Sequence, residues 1–157
     1  MKTWALGYEK AKQKAKATYS AIGHISCPAL GDEIVAFTSL GFNHLVRKGR
    51  VPRTRNDQKK RFVLIPYVEQ MIKNPRATME YRRTENKIIV DRHGERVLIE
   101  SVAEFWTFVE RFDDCVIKVV VRQLSTGGPK HFLSVMGDNV EIDNRAKKHT
   151  KIKKSRS

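Results

Sequence analysis

Three features of the sequence predict an α+β fold, with N-terminal helices packed on an antiparallel sheet of about four to six strands. Helical periodicity is concentrated in the first half of the chain, and β-branched and aromatic runs separated by turn residues fill the second. A Lys- and Arg-rich tail without apolar periodicity closes the chain. This order divides the 157 residues into an N-terminal helix and linker (1–30), a main domain (31–143) and a basic tail (144–157) expected to be disordered.

Residues 3–18 read as a helix, because Lys10, Lys12, Lys14 and Lys16 alternate with good helix formers and Trp4, Tyr8, Ala11 and Ala15 form an apolar stripe. Gly23 and Pro28 end that region, and Ile34–Thr38 reads as a short strand. Thr38 or Ser39 caps an expected helix over 40–48, with Leu40, His44 and Arg47 along one side and Gly49 as its stop. A basic linker containing Pro52 follows. Asn56 or Asp57 opens a further helix in which Phe62, Ile65, Val68 and Ile72 keep helical spacing. Pro66 within it either kinks that helix or starts a second one. Phe62 and Ile65 are expected to be buried and Arg61 exposed. The candidate strands are Thr78–Arg83, Lys87–Arg92, Arg96–Glu100, Phe105–Arg111, Val116–Gln123 and His131–Met136, with turns at His93-Gly94 and at residues 126–129.

The net charge of +14 is concentrated in two places. Residues 47–61 hold Arg47, Lys48, Arg50, Arg53, Arg55, Lys59, Lys60 and Arg61 against Asp57, and the tail holds seven cations with no acid after Asp143. Together these segments account for the whole excess, so the rest of the chain is balanced. Concentrated basicity on a neutral background is the footprint of a polyanion binder, so RNA, or DNA, is the expected partner. Neither segment has the apolar face of a membrane-surface helix, and no apolar run is long enough to span a bilayer. The N-terminus lacks the apolar stretch of an export signal. Cys27 and Cys115 stand alone, which fits a reducing cytoplasm.

Glycine-rich phosphate loops, paired CxxC motifs and clustered carboxylates are absent, so no cofactor and no metal are expected. Cleavage without a metal suits RNA, whose own 2′-OH attacks the adjacent phosphate. Such a site needs a base, an acid and cations for the phosphorane, roles that fit histidine and arginine. Two groups of residues meet this need. On the helix expected over 40–48, His44, Arg47 and Lys48 share a face. Around the glycine-rich turn lie Arg122, Lys130, His131 and Ser134. In a regular strand His131 and Ser134 point to opposite faces, and only a bulge brings them together. His24, His93 and His149 have weaker settings. Most of the aromatic residues read as core, with Tyr81 the one best placed to stack on a base.

Val35-Ala36-Phe37-Thr38-Ser39-Leu40-Gly41-Phe42-Asn43-His44-Leu45-Val46-Arg47-Lys48-Gly49-Arg50, then Arg53, Gln58, Arg61-Phe62 and Leu64-Ile65-Pro66, resembles a phage-encoded branch of the barnase/EndoU/colicin/RelE-like ribonuclease superfamily. Ile117–Gln123 and Lys130–Met136 resemble that branch's closing strands. The resemblance spans about half the chain. It implies helices on an antiparallel sheet and metal-independent endoribonuclease activity, with His44, Arg47, Arg50, Arg122, His131 and Ser134 at matching positions. The chemistry assigns His44 and His131 to proton transfer and Arg122 to the phosphorane. It assigns Arg47, Lys48, Arg50, Arg53, Arg55, Lys130 and Ser134 to nucleic-acid binding. A toxin or mobile-element effector, with an acidic inhibitor as a candidate protein partner, is the expected setting. The alternatives are a non-catalytic RNA- or DNA-binding protein and a phage accessory interaction module.

Overall fold

The computed structural model describes residues 2–4, 7–125 and 127–143. The basic tail, and with it the expectation of disorder, lies outside them. In chain order the elements are β1 (Lys2–Trp4), α1 (Tyr8–Ile22), β2 (His24–Cys27), a 3-10 turn (Pro28–Leu30), β3 (Glu33–Ala36), α2 (Ser39–Val46), β4 (Arg47–Lys48), β5 (Val51–Pro52), α3 (Arg55–Phe62), α4 (Ile65–Lys73), β6 (Thr78–Arg92), β7 (Glu95–Phe112), β8 (Cys115–Leu124), β9 (Lys130–Gly137) and β10 (Glu141–Asp143). Among the described residues four helices pack with a six-stranded sheet of order β2-β3-β9-β8-β7-β6, in which β2 and β3 lie between α1 and α2 in the chain and β6 to β9 follow α4, an α+β architecture. No helix among the described residues is long and apolar enough to cross a membrane.

The first helix is displaced from its expected position. It begins at Tyr8 after Gly7, while Trp4 belongs to β1, which pairs in parallel with β10. The stripe continues instead through Ala11 and Ala15 to the buried Tyr19. The Tyr19 hydroxyl donates to the Thr38 carbonyl at 2.6 Å. The helix expected over 40–48 stops at Val46, and Arg47 is extended. β4 and β5 then form a small hairpin through Gly49, whose φ of 63° suits glycine. Pro66 starts a second helix. It occupies the first turn of α4, where its missing N–H costs no helical bond. Thr54 caps α3 by accepting from the Asp57 backbone N–H at 3.1 Å.

Six short strands were expected between residues 78 and 136, and four long ones form. β6 and β7 pair without interruption from Thr78↔Val109 to Arg92↔Glu95, closed by His93 and Gly94, both with positive φ. β8 meets β7 only from Ala103 to Phe112, so the outer half of the β6–β7 hairpin projects as a two-stranded arm. Its tip leaves Ile88, Ile89 and Leu98 exposed. Within the six-stranded sheet one pairing departs from the antiparallel expectation: β3 joins β9 in parallel, through Val35↔Lys130 and Ala36↔His131 alone. The sheet is therefore mixed.

The core lies between the helices and one face of the sheet. Phe62, Leu64, Ile65, Val68, Met71 and Ile72 from α3, α4 and their junction pack with Phe108, Ile117, Val119, Val121, Phe132 and Val135 of the strands. The rings of Tyr19, Phe37 and Phe132 pack together, and those of Phe42 and Phe62 stack at 6.0 Å. Just past the β3–β9 pair, α2 packs against β9. A Cβ on Gly41 would lie 2.5 Å from the Phe132 carbonyl and 2.5 Å from the Tyr19 hydroxyl.

Two outcomes follow for stability. Phe62→Ala should cost about 3–5 kcal/mol in denaturant unfolding, as expected for a fully enclosed ring. Gly41→Ala should cost about 1–3 kcal/mol, because the helix must move off a backbone carbonyl. A Gly41→Ala protein as stable as the parent would refute the close approach.

Candidate functional site

The register of β8 and β9 brings the C-terminal candidates together. Arg122 pairs with His131, and the Arg122 Nε donates to His131 Nε2 at 3.1 Å. A bulge between Val120 and Val121 leaves Leu133 without a partner, so Ser134 pairs with Val120. Val120 and Arg122 are two residues apart on β8 and share a face. The bulge therefore places Ser134 and His131 on one face, where a regular strand would separate them.

Helices α2 and α3 bring the remaining groups to this strand. Arg61 donates through one terminal nitrogen to Ser134 Oγ and to the Val135 carbonyl, each at 3.0 Å. Arg53 donates through Nε to the His44 carbonyl at 3.0 Å. Asp57 lies 3.4 Å from Arg53 and 3.6 Å from Arg61, and holds both cations inward. Arg61 was expected to be exposed, but its side chain is only 14% exposed. The reason is that the guanidinium replaces strand partners that β9 lacks there. Spacing carried a signal for this, since Arg53, Asp57 and Arg61 recur every four residues.

His44 is half-buried on α2, and its Nδ1 is buried without a hydrogen-bond partner among the described residues. Burial, and after it the charges of Arg53, Arg61 and Arg122, hold its pKa below the ordinary histidine value. His131 is lowered by burial and then by Arg122, partly opposed by a hydrogen bond to the Pro129 carbonyl. Both imidazoles are therefore biased toward the neutral form. Their situations differ, however. His131 has one ring nitrogen on Arg122 and a backbone carbonyl as its other partner, so it orients the guanidinium. His44 has a ring nitrogen with no hydrogen-bond partner among the described residues.

The other candidates separate into two groups. Arg47, Lys48, Arg50 and Arg55 are exposed. Arg47 lies outside α2 and does not share a helix face with His44; its guanidinium instead reaches the Arg50 carbonyl at 3.5 Å. Arg55 sits over the Tyr8 ring at 4.6 Å. By contrast, Lys130, Ser134 and Arg53 are occupied by the fold. Lys130 is ion-paired to Glu33, bonded to Gln123 at 3.2 Å and placed over the Trp106 ring at 4.8 Å. Ser134 is 2% exposed beneath Arg61. Among the described residues no group of three or more His, Cys, Asp or Glu side chains is placed to hold a metal ion.

Compared with protein-family models, with curated proteins and with solved structures, the chain has no significant match.

The lowered histidine pKa values have a consequence for stability. The unfolded chain binds more protons than the folded one below the ordinary histidine pKa, so stability is complete above about pH 6.5 and declines as pH falls through that value. Denaturant unfolding from pH 8 down to pH 5 should show this decline. His44→Gln should flatten it. A profile that His44→Gln leaves unchanged would mean that His44 titrates in the folded protein as it does in water.

Proposed function

We propose that this protein is an endoribonuclease that cleaves RNA by internal transesterification, with His44 as the base and Arg122 as the clamp on the phosphate. The observation that carries the reading is the half-buried, neutral-biased His44, whose Nδ1 has no hydrogen-bond partner among the described residues, held within the fields of Arg53, Arg61 and Arg122. A neutral imidazole with a free nitrogen can accept a proton. Guanidiniums around it favour an anion in the same space. The basic segments and the resemblance at residues 35–66 and 117–136 support RNA as that anion. RNA in a reducing cytoplasm is the matching substrate pool. An acidic inhibitor is the matching protein partner if the chain acts as an effector.

In this mechanism the 2′-oxygen attacks phosphorus while its proton passes to the His44 imidazole. The O2′–P bond forms, the P–O5′ bond breaks, and the 5′-oxygen takes a proton from water. The products are a 2′,3′-cyclic phosphate and a 5′-hydroxyl. Arg122 stabilises the negative phosphorane, and His131 acts as a positioning residue by accepting from Arg122 Nε. Arg61 holds α3 against β9, Arg53 ties α2 to α3 through the His44 carbonyl and Asp57, and both add positive potential. The exposed Arg47, Lys48, Arg50 and Arg55 contact phosphates on either side.

Labelled RNA incubated with the protein in EDTA should yield cyclic-phosphate ends. His44→Ala should lower turnover by about 10²–10⁴ with little change in RNA affinity. His131→Ala should lower turnover by releasing Arg122. His131→Gln, whose amide oxygen also accepts a hydrogen bond, should restore most of it. Intact RNA with tight, salt-sensitive binding would favour the non-catalytic nucleic-acid-binding reading instead.

A further inference from the structure

The core face of the central strands carries the cross-strand row Trp106, Val121 and Phe132, which is buried. The residues beside them in sequence form a second row on the opposite face. His131 of β9 pairs with Arg122 of β8, Arg122 with Phe105 of β7, and Phe105 with Arg82 of β6. Side chains alternate across a sheet, so these four share the face turned away from the core. Adjacent strands are about 4.8 Å apart, which places Phe105 one strand from Arg122 and Arg82 about 10 Å from it. The Arg82 guanidinium lies over the Phe105 ring, 4.6 Å from its centroid. Phe105 is half-buried and Arg82 exposed, so both can be reached.

We propose that this row is a binding track for single-stranded RNA, in which a nucleobase next to the phosphate held by Arg122 stacks on the Phe105–Arg82 pair. The assignment of a phosphate to Arg122 rests on the ribonuclease reading; the track itself rests on the register. An aromatic ring and a planar cation are the two side-chain surfaces on which bases stack without sequence choice. The adjoining rows on this face hold Thr84, Ala103 and Leu124 on one side and Glu80, Thr107, Val120 and Ser134 on the other. Their single acid, Glu80, lies on the outermost strand, away from Arg122. The face is therefore cationic and apolar next to the candidate site, a pairing that suits a phosphate followed by a base. The exposed Tyr81 belongs instead to the row of Trp106, on the other face, and takes no part.

The track can be tested separately from catalysis with a fluorescent 2′-O-methyl oligonucleotide, which has no 2′-hydroxyl to attack. Arg82→Gln and Phe105→Leu should each weaken its binding about ten- to a hundredfold, the range for loss of one stacked base. Tyr81→Ser should leave binding unchanged. Arg82 is exposed, so its replacement tests the track without risk to the fold. Wild-type affinity in both Arg82→Gln and Phe105→Leu would overturn the proposal, as would weakening by Tyr81→Ser alone. If these variants behave as expected but no RNA is cleaved, the track stands and the ribonuclease reading fails. If RNA is cleaved with cyclic-phosphate ends while Arg82→Gln and Phe105→Leu bind normally, the reverse holds.

Discussion

The incomplete edge of β9 is the constraint on which the candidate site depends. β3 supplies two paired residues and then turns away at Ala36. The backbone beyond His131 must find other partners, because buried carbonyls without hydrogen bonds are costly. α2 closes part of this edge by packing Gly41 against Phe132, and Arg61 closes another part by donating to the Val135 carbonyl. His44 lies one helical turn beyond Gly41. It is therefore carried to the strand by the same contact that seals it. The site is assembled by the repair of a strand that its neighbour leaves half-paired.

This repair draws several guanidiniums into a small volume. Arg53 and Arg61 share Asp57, Arg122 rests on a neutral imidazole, and burial lowers the pKa of both Arg61 and Arg122. Positive charge thus exceeds the negative charge that faces it. Each guanidinium has backbone, hydroxyl, carboxylate or imidazole partners that hold its position. Under the proposed function, an anion arriving there would meet cations already oriented and would not need to reorganise them, the condition under which electrostatic stabilisation is strongest.

Much of the fold was legible because it rests on short-range pattern. The apolar spacing of Phe62, Ile65, Val68 and Ile72 identified the face that α3 and α4 bury, and Pro66 marked the break between them. His93-Gly94 marked the hairpin turn. Strand length was not legible. The polar Thr84, Glu85 and Asn86 read as an interruption, yet they pair with Ala103, Val102 and Ser101 where the sheet narrows into the solvated arm, and Glu85 and Asn86 are exposed there at little cost. The end of α2 was also hidden, because Arg47 and Lys48 are good helix formers whose extended form is set by pairing with Val51 and Pro52. Among the site residues, His44, Arg122 and His131 were recognisable by chemical type. The inward turn of Arg61 and the occupation of Lys130 depend on partners 73 and 97 residues away in the chain, beyond the reach of any local pattern.

The two-residue parallel seam between β3 and β9 bears on motion as well as architecture. β6 to β9 form a continuous meander of local hairpins, whereas His44 enters from the other side of that seam. A sub-global opening that parted the seam and the Gly41–Phe132 contact would move α2 away with its imidazole and leave Arg122 and His131 together on their hairpin. Proteins open in such cooperative units at less than the full cost of unfolding. Amide exchange at Val35, Ala36 and the start of α2 would then be faster than in β7 and β8. The fraction of molecules able to bring His44 to Arg122 would be set by that short seam together with the packing of Gly41 on Phe132.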